Sequence, residues 1–109
     1  MQYRTFGKTG LKISLLSYGT GGPGGFGRSV GLTHADQQRL ARRCLELGIN
    51  LFDTAEGYGN GASETDLGRA LVGVPRDSYY IATKWQHYDG KAESLKEDPA
   101  ELERSVNDS

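Results

Sequence analysis

Short runs rich in β-forming residues alternate with stretches of helical period, and this alternation limits the possible folds more than any other feature of the chain. Leu15-Leu-Ser-Tyr-Gly19, Ile49-Asn-Leu-Phe-Asp53 and Tyr79-Tyr-Ile-Ala-Thr83 read as strands. Between the first two, Thr33 opens a helix with Asp36 as its capping-box partner. Leu40, Ala41, Cys44 and Leu47 then recur at helical spacing until Gly48 stops it. Ser63-Glu-Thr-Asp66 repeats the capping pattern ahead of Leu67, Ala70 and Leu71, and Gly73-Val-Pro75 ends that second helix. Pro99 suits the first turn of a further helix. Ahead of these units, residues 2–6 and 11–15 flank the turn signal Gly7-Lys-Thr-Gly10 and predict a small β-hairpin. The order strand-helix-strand-helix-strand-helix predicts an α/β fold with a parallel sheet and right-handed crossovers. A three-stranded piece has two raw edges, which predicts pairing with further strands, with a partner or with another copy of the chain.

Composition narrows the function classes. Thirteen Lys and Arg stand against fourteen Asp and Glu, a formal charge of −1 with no basic stripe to follow a phosphate backbone, so nucleic acid is not an expected partner. Apolar runs are only a few residues long, so no membrane span is expected. A single cysteine, Cys44, allows no intrachain disulfide, and no signal-peptide pattern opens the sequence, so a cytoplasmic setting is expected. Cys44 lies on the apolar face of its helix and is read as a packing residue, with nothing nearby to stabilise a thiolate. No metal site is expected.

The chemistry-bearing residues follow from the strand pattern. Alternation puts Ile49, Leu51 and Asp53 on one face of their strand and Tyr80, Ala82 and Lys84 on one face of the next. Asp53 and Lys84 lie 31 residues apart, about one βα repeat, which sets them side by side at the carboxyl ends of adjacent strands. An ordinary surface ion pair would be worth only about 0–1 kcal/mol. Tyr58, five residues after Asp53 in a loop of small residues, changes that reading, because it can fold back over the pair. An amine held by a carboxylate and set against a phenol favours the phenolate, which suits the phenol to proton transfer.

The run Gly48-Ile-Asn-Leu-Phe-Asp53-Thr-Ala-Glu-Gly-Tyr58-Gly-Asn-Gly-Ala-Ser-Glu64, followed by Tyr79-Tyr-Ile-Ala-Thr-Lys84, resembles the aldo-keto reductase family. The resemblance extends from Tyr3-Arg-Thr-Phe-Gly to Asp98-Pro-Ala-Glu-Leu-Glu. It implies an eightfold (β/α) TIM barrel, a fold of roughly 250 residues. Residues 1–109 would then form a partial NADP-dependent oxidoreductase domain: the hairpin that caps the barrel bottom plus about three βα units, truncated before barrel strand four. The resemblance implies reduction of aldehydes or ketones to alcohols with NADPH, with Tyr58 giving a proton to the carbonyl oxygen, Lys84 favouring its phenolate and Asp53 orienting Lys84. It further implies that Gly19, Thr20 and Asp53 lie near the cofactor, and that Tyr58 and Trp85, with Tyr18, border the small-molecule carbonyl substrate. The family's carbonyl-orienting His ends the fourth strand, so neither His34, at a helix start, nor His87, three residues after Lys84, matches it. Most phosphate and adenine contacts of the family come from later strands.

Two other readings differ in class. One is a catalytically silent fragment acting in binding or assembly through its sheet edges. The other is a non-reductase barrel that senses nucleotide, as some family members do in channel assemblies. A rival from pattern alone is the dinucleotide fingerprint in Gly19-Thr-Gly21-Gly-Pro-Gly24, with Asp53 ending the next strand. That fingerprint must open directly into a helix whose N-terminus meets the pyrophosphate, whereas here the helix begins only at Thr33. Residues 19–31 are therefore read as an irregular, mobile rim loop.

Overall fold

The computed structural model describes residues 1–85 together with 103 and 104. His87 and most of the expected last helix lie outside these residues; Glu103 and Arg104 are helical. Strands β1 (Tyr3–Thr5) and β2 (Lys12–Ser14) form an antiparallel hairpin, with Tyr3 opposite Ser14. Strands β3 (Tyr18–Gly19), β4 (Leu51–Asp53) and β5 (Tyr80–Ala82) form a parallel sheet in the order β3-β4-β5. Helices α1 (His34–Glu46) and α2 (Ala62–Ala70) make the crossovers and pack against each other. This is the βα repeat of a (β/α) barrel, preceded by a hairpin.

Each strand is shorter than its sequence signal, because pairing holds only where neighbours are in register. Tyr18 pairs with Phe52, and Leu51, Phe52 and Asp53 pair with Tyr80, Ile81 and Ala82. Leu15 and Leu16, expected in β3, precede it and are 51% and 61% exposed.

The core lies between the sheet and the helices. Phe52 is fully buried and meets Ala41, Cys44, Leu67, Ala70 and Leu71 from α1, α2 and the residue that caps α2. Each such large side chain contributes roughly 1.5–3 kcal/mol by leaving water. Burial pushes the Cys44 thiol above its ordinary value, which fits packing rather than reactivity. Tyr18 shares this side of the sheet, edge-on to Phe26 with ring centres 5.8 Å apart. It is a core residue and not a substrate wall, because alternation turns it with Phe52 toward the helices.

The ends of α1 follow the sequence. Thr33 and Asp36 form the full capping box, and Gly48 follows the helix with φ of 84°. Its buried face runs through Gln37, Ala41 and Cys44, while Leu47 at the cap is 52% exposed. In α2 the expected capping box is absent: Gly61 is the N-cap, and Ser63 and Asp66 are buried inside the helix, bonded across to other elements. The hairpin is fastened beneath the strands. Asn50, just before β4, accepts from Ser14 N through Oδ1 (2.8 Å) and donates through Nδ2 to Lys12 O (3.0 Å).

Candidate active site

Lys84 follows β5, and its ammonium has three hydrogens to give. Three acceptors surround it: Asp53 Oδ1 at 2.7 Å, Thr54 O at 2.9 Å and Tyr58 Oη at 3.4 Å. The structure thus brings Asp53, Tyr58 and Lys84 together at the carboxyl end of the sheet. The Asp53 hydrogen bond is the main cause that raises the Lys84 amine above its ordinary value; partial desolvation opposes it, and the Tyr58 contact and the Asp53 charge add to it. The side chain of Lys84 is 48% exposed and that of Asp53 36%, so solvent screens the pair and its worth lies in geometry more than in stability. Lys84 Nζ also lies 5.1 Å from the centre of the Tyr58 ring. Since the phenol oxygen accepts from Lys84, its own hydrogen is left to be given elsewhere.

The loop after β4 is closed by its own backbone. Tyr58 N donates to Ala55 O (3.0 Å), Ser63 N to Tyr58 O (3.1 Å) and Gly61 N to Glu56 O (2.8 Å). Thr54 N donates to Ala82 O and Glu56 N to Lys84 O, which extends the pairing of β4 and β5 past their ends. Ala55, Gly57, Tyr58, Lys84 and Trp85 line a cavity of about 470 Å³. Trp85 therefore borders the same space as the phenol and the amine.

Gly19 and Thr20 sit at the end of β3, beside Asp53, and differ sharply. Gly19 is exposed and faces open space. Thr20 is fully buried; its N (2.9 Å) and Oγ1 (3.2 Å) both donate to Asp53 O, and its own carbonyl accepts from Ser63 Oγ at 3.0 Å. Its hydroxyl is thus committed to locking β3 to β4, and any cofactor contact from Thr20 would not come from that group. Gly19, with open space where a side chain would stand, and the half-exposed Asp53 carboxylate lie in register at the ends of β3 and β4, which leaves room for a group to approach there. Among the described residues no cluster of His, Cys, Asp or Glu is placed to hold a metal, and no helix is long and apolar enough to cross a membrane.

Residues 19–31, expected as a mobile loop without regular structure, contain 3-10 turns over Gly25–Val30 and are anchored. Phe26 is 2% exposed at φ 55°, a left-handed conformation that costs a bulky residue roughly 1–3 kcal/mol and persists where its surroundings hold it. Arg28 donates to Asp66 Oδ2 (2.9 Å) and to Ser63 Oγ (3.0 Å), and its guanidinium lies over Gly59, whose missing Cβ leaves it room. Gln37 Nε2 donates to Asp66 Oδ2 and to Phe26 O, both at 3.1 Å. Burial pushes the Asp66 carboxyl up, but the Arg28 and Gln37 bonds and the charges of Arg28 and His34 outweigh it, and Asp66 lies below its ordinary value. His34 has the expected structural place, with Nδ1 3.2 Å from Gln37 Oε1 and Nε2 3.3 Å from Arg69.

Sequence reasoning missed Arg28, Ser63 and Gly21 as shapers of the site. Arg28 carried a signal, being the one charged residue between Gly19 and Gly31. Gly21 carried none, since its neighbour Tyr58 is 37 residues away.

Parallel strands joined by helices, with a carboxylate, an amine and a phenol at their carboxyl edge, have the arrangement of part of a (β/α) barrel. The sequence model described as the Aldo/keto reductase family matches residues 15–109, and the chain belongs to that family. It is 38% identical over 90 residues to the L-galactose dehydrogenase of Arabidopsis thaliana, covering 81% of this chain and 28% of that protein. It is 37% identical over 86 residues to a protein of Oryza sativa subsp. japonica described as a probable voltage-gated potassium channel subunit beta, covering 77% and 25%. Among solved structures it resembles the holo form of an aldo-keto reductase from Bacillus halodurans, at 34% identity and a TM-score of 0.62, covering 84% of this chain and 29% of that one. The chain spans about a quarter of the length of the curated relatives it matches.

Proposed function

We propose that this chain carries the proton-donating part of an NADPH-dependent reductase of aldehydes and ketones. The observation that carries this reading is the bridging of Asp53 and Tyr58 by one ammonium, Lys84 Nζ. In it, Asp53 keeps Lys84 charged and aimed, Lys84 favours the phenolate form of Tyr58, and Tyr58 passes its proton to the carbonyl oxygen as that oxygen gains charge. The reduced nicotinamide supplies the hydride that the carbonyl carbon accepts. Trp85 and the small residues Ala55 and Gly57 border the space for the substrate. Residues 1–109 act in this reading as one part of a barrel domain working in a reducing cytoplasm, consistent with the unpaired, buried Cys44.

The test is aldehyde-dependent oxidation of NADPH by the protein and by Tyr58→Phe. A positioned proton donor contributes on the order of 10²–10⁴-fold, so the variant should lose at least about 100-fold in turnover with its fold intact. Unchanged turnover would remove Tyr58 from the role.

A second reading is a barrel that binds the nucleotide and reports on it without turnover within a channel assembly; the similarity to a rice protein described as a probable channel subunit speaks only for the assembly. NADPH binding with no oxidation across a range of aldehydes would favour it. The catalytically silent reading, in which the chain acts in assembly, rests on β3 and β5 standing at the two edges of the described sheet.

A further inference from the structure

We infer that Gly21 is the positioning residue for Tyr58: the space left by its missing side chain seats the phenol ring against Lys84. This deepens the reductase reading and rests on it. A Cβ built at Gly21 would stand 2.6 Å from Tyr58 Cε2, 2.7 Å from Cδ2 and 2.9 Å from Cζ, closer than side-chain carbons approach. The backbone of Gly21 does not itself require glycine, since its φ lies outside the left-handed range that marks Gly22 and Gly25 nearby. The ring requires it.

The main chain that carries the ring is held as well. Its backbone is closed by Ala55 O and Ser63 N, and the next residue, Gly59, lies under the Arg28 guanidinium. The ammonium of Lys84 is fixed by Asp53 and Thr54, so it cannot follow a displaced phenol. A methyl group at position 21 therefore displaces the ring and disturbs the 3.4 Å contact between Nζ and Oη. Thr20, immediately before, is locked to Asp53 O and Ser63 Oγ, so the backbone at 21 has little room to retreat. Gly24, three residues on, faces open space with φ of −75°, and alanine fits there.

The experiment uses the protein labelled with ¹³C at tyrosine Cζ, the Tyr58 signal being assigned by its absence in Tyr58→Phe. In the native protein that signal should shift on Lys84→Met. In Gly21→Ala the response to Lys84→Met should be lost, and in Gly24→Ala it should be kept. Thermal melts accompany each variant. If Gly21→Ala fails to fold, the same substitution is made in Tyr58→Ala, where no ring stands in its way and folding should return. A native-like Tyr58 signal that still responds to Lys84→Met in Gly21→Ala would overturn the inference, as would failure to fold in both backgrounds. These readouts need no turnover. The expected signals together with turnover unchanged in Tyr58→Phe would sink the reductase reading and leave the seating of Tyr58 standing.

Discussion

Lys84 and Asp66 show how differently two ion pairs act in one small structure. The Lys84 ammonium is screened by water, and it gathers Asp53, Thr54 and the Tyr58 phenol around one nitrogen. Asp66 is 10% exposed on its side chain and ties the 19–31 segment to α2 through Arg28 and Gln37. Its carboxyl is held below the ordinary value of 3.8, so its stabilisation is fully present above pH 3.8 and is lost as pH falls through the lower, folded value. Asp66→Asn should cost roughly 1–3 kcal/mol near neutrality, by stranding buried donors. Urea midpoints measured down the pH scale should show native protein and variant converging below pH 3.8; a gap that stays constant would mean that Asp66 does not carry the effect. At this scale Asp53 and Lys84 could be read as neighbours from strand alternation and spacing, with Tyr58 within reach in the loop between them, while the place of Trp85 came from the family resemblance. Gly21 and the burial of Thr20 could not, because both depend on where a ring or a hydroxyl from a distant segment comes to rest.

Helix α1 was legible at both ends because its signals are local: Thr33 and Asp36 satisfy each other within one turn, and Gly48 ends the helix. In α2 the same letters mislead. Ser63 and Asp66 have capping-box spacing, yet Ser63 Oγ donates to Thr20 O and Asp66 accepts from Arg28. A capping pattern does not reveal whether its side chains turn back to their own helix or out to another element. Thr33→Ala should therefore cost about 0.5–2 kcal/mol by a frayed first turn, read as lost helicity and a lower denaturant midpoint. Ser63→Ala should cost about as much with helicity kept, because what it loosens is the bond to Thr20, just past β3. Equal helicity loss in both would contradict the division of roles.

The parallel sheet and its order were legible from the alternation of elements, since few topologies accept it. The extent of each strand was not, because strand length is set by the neighbour. On the β4 side of β5, Tyr80 N donates to Asn50 O and Ala82 O accepts from Thr54 N, so the ladder uses these two residues and alternation turns the amide of Ile81 to the open side. If this edge recruits further chain, sedimentation of the 109-residue protein should show mass rising with concentration, and Ile81→Pro should suppress the rise while sparing the bonds to β4. A monomer at all concentrations would remove the edge as a contact. The register of the sheet carries a last consequence. Gly19, Asp53 and Ala82 stand in one row across β3, β4 and β5, and Lys84 lies two residues beyond it on the same face. A slip of β4 by one residue would put the Phe52 ring where the carboxylate belongs. Register and site are thus set together: a molecule in which β4 has slipped loses the Asp53, Tyr58 and Lys84 cluster along with its core.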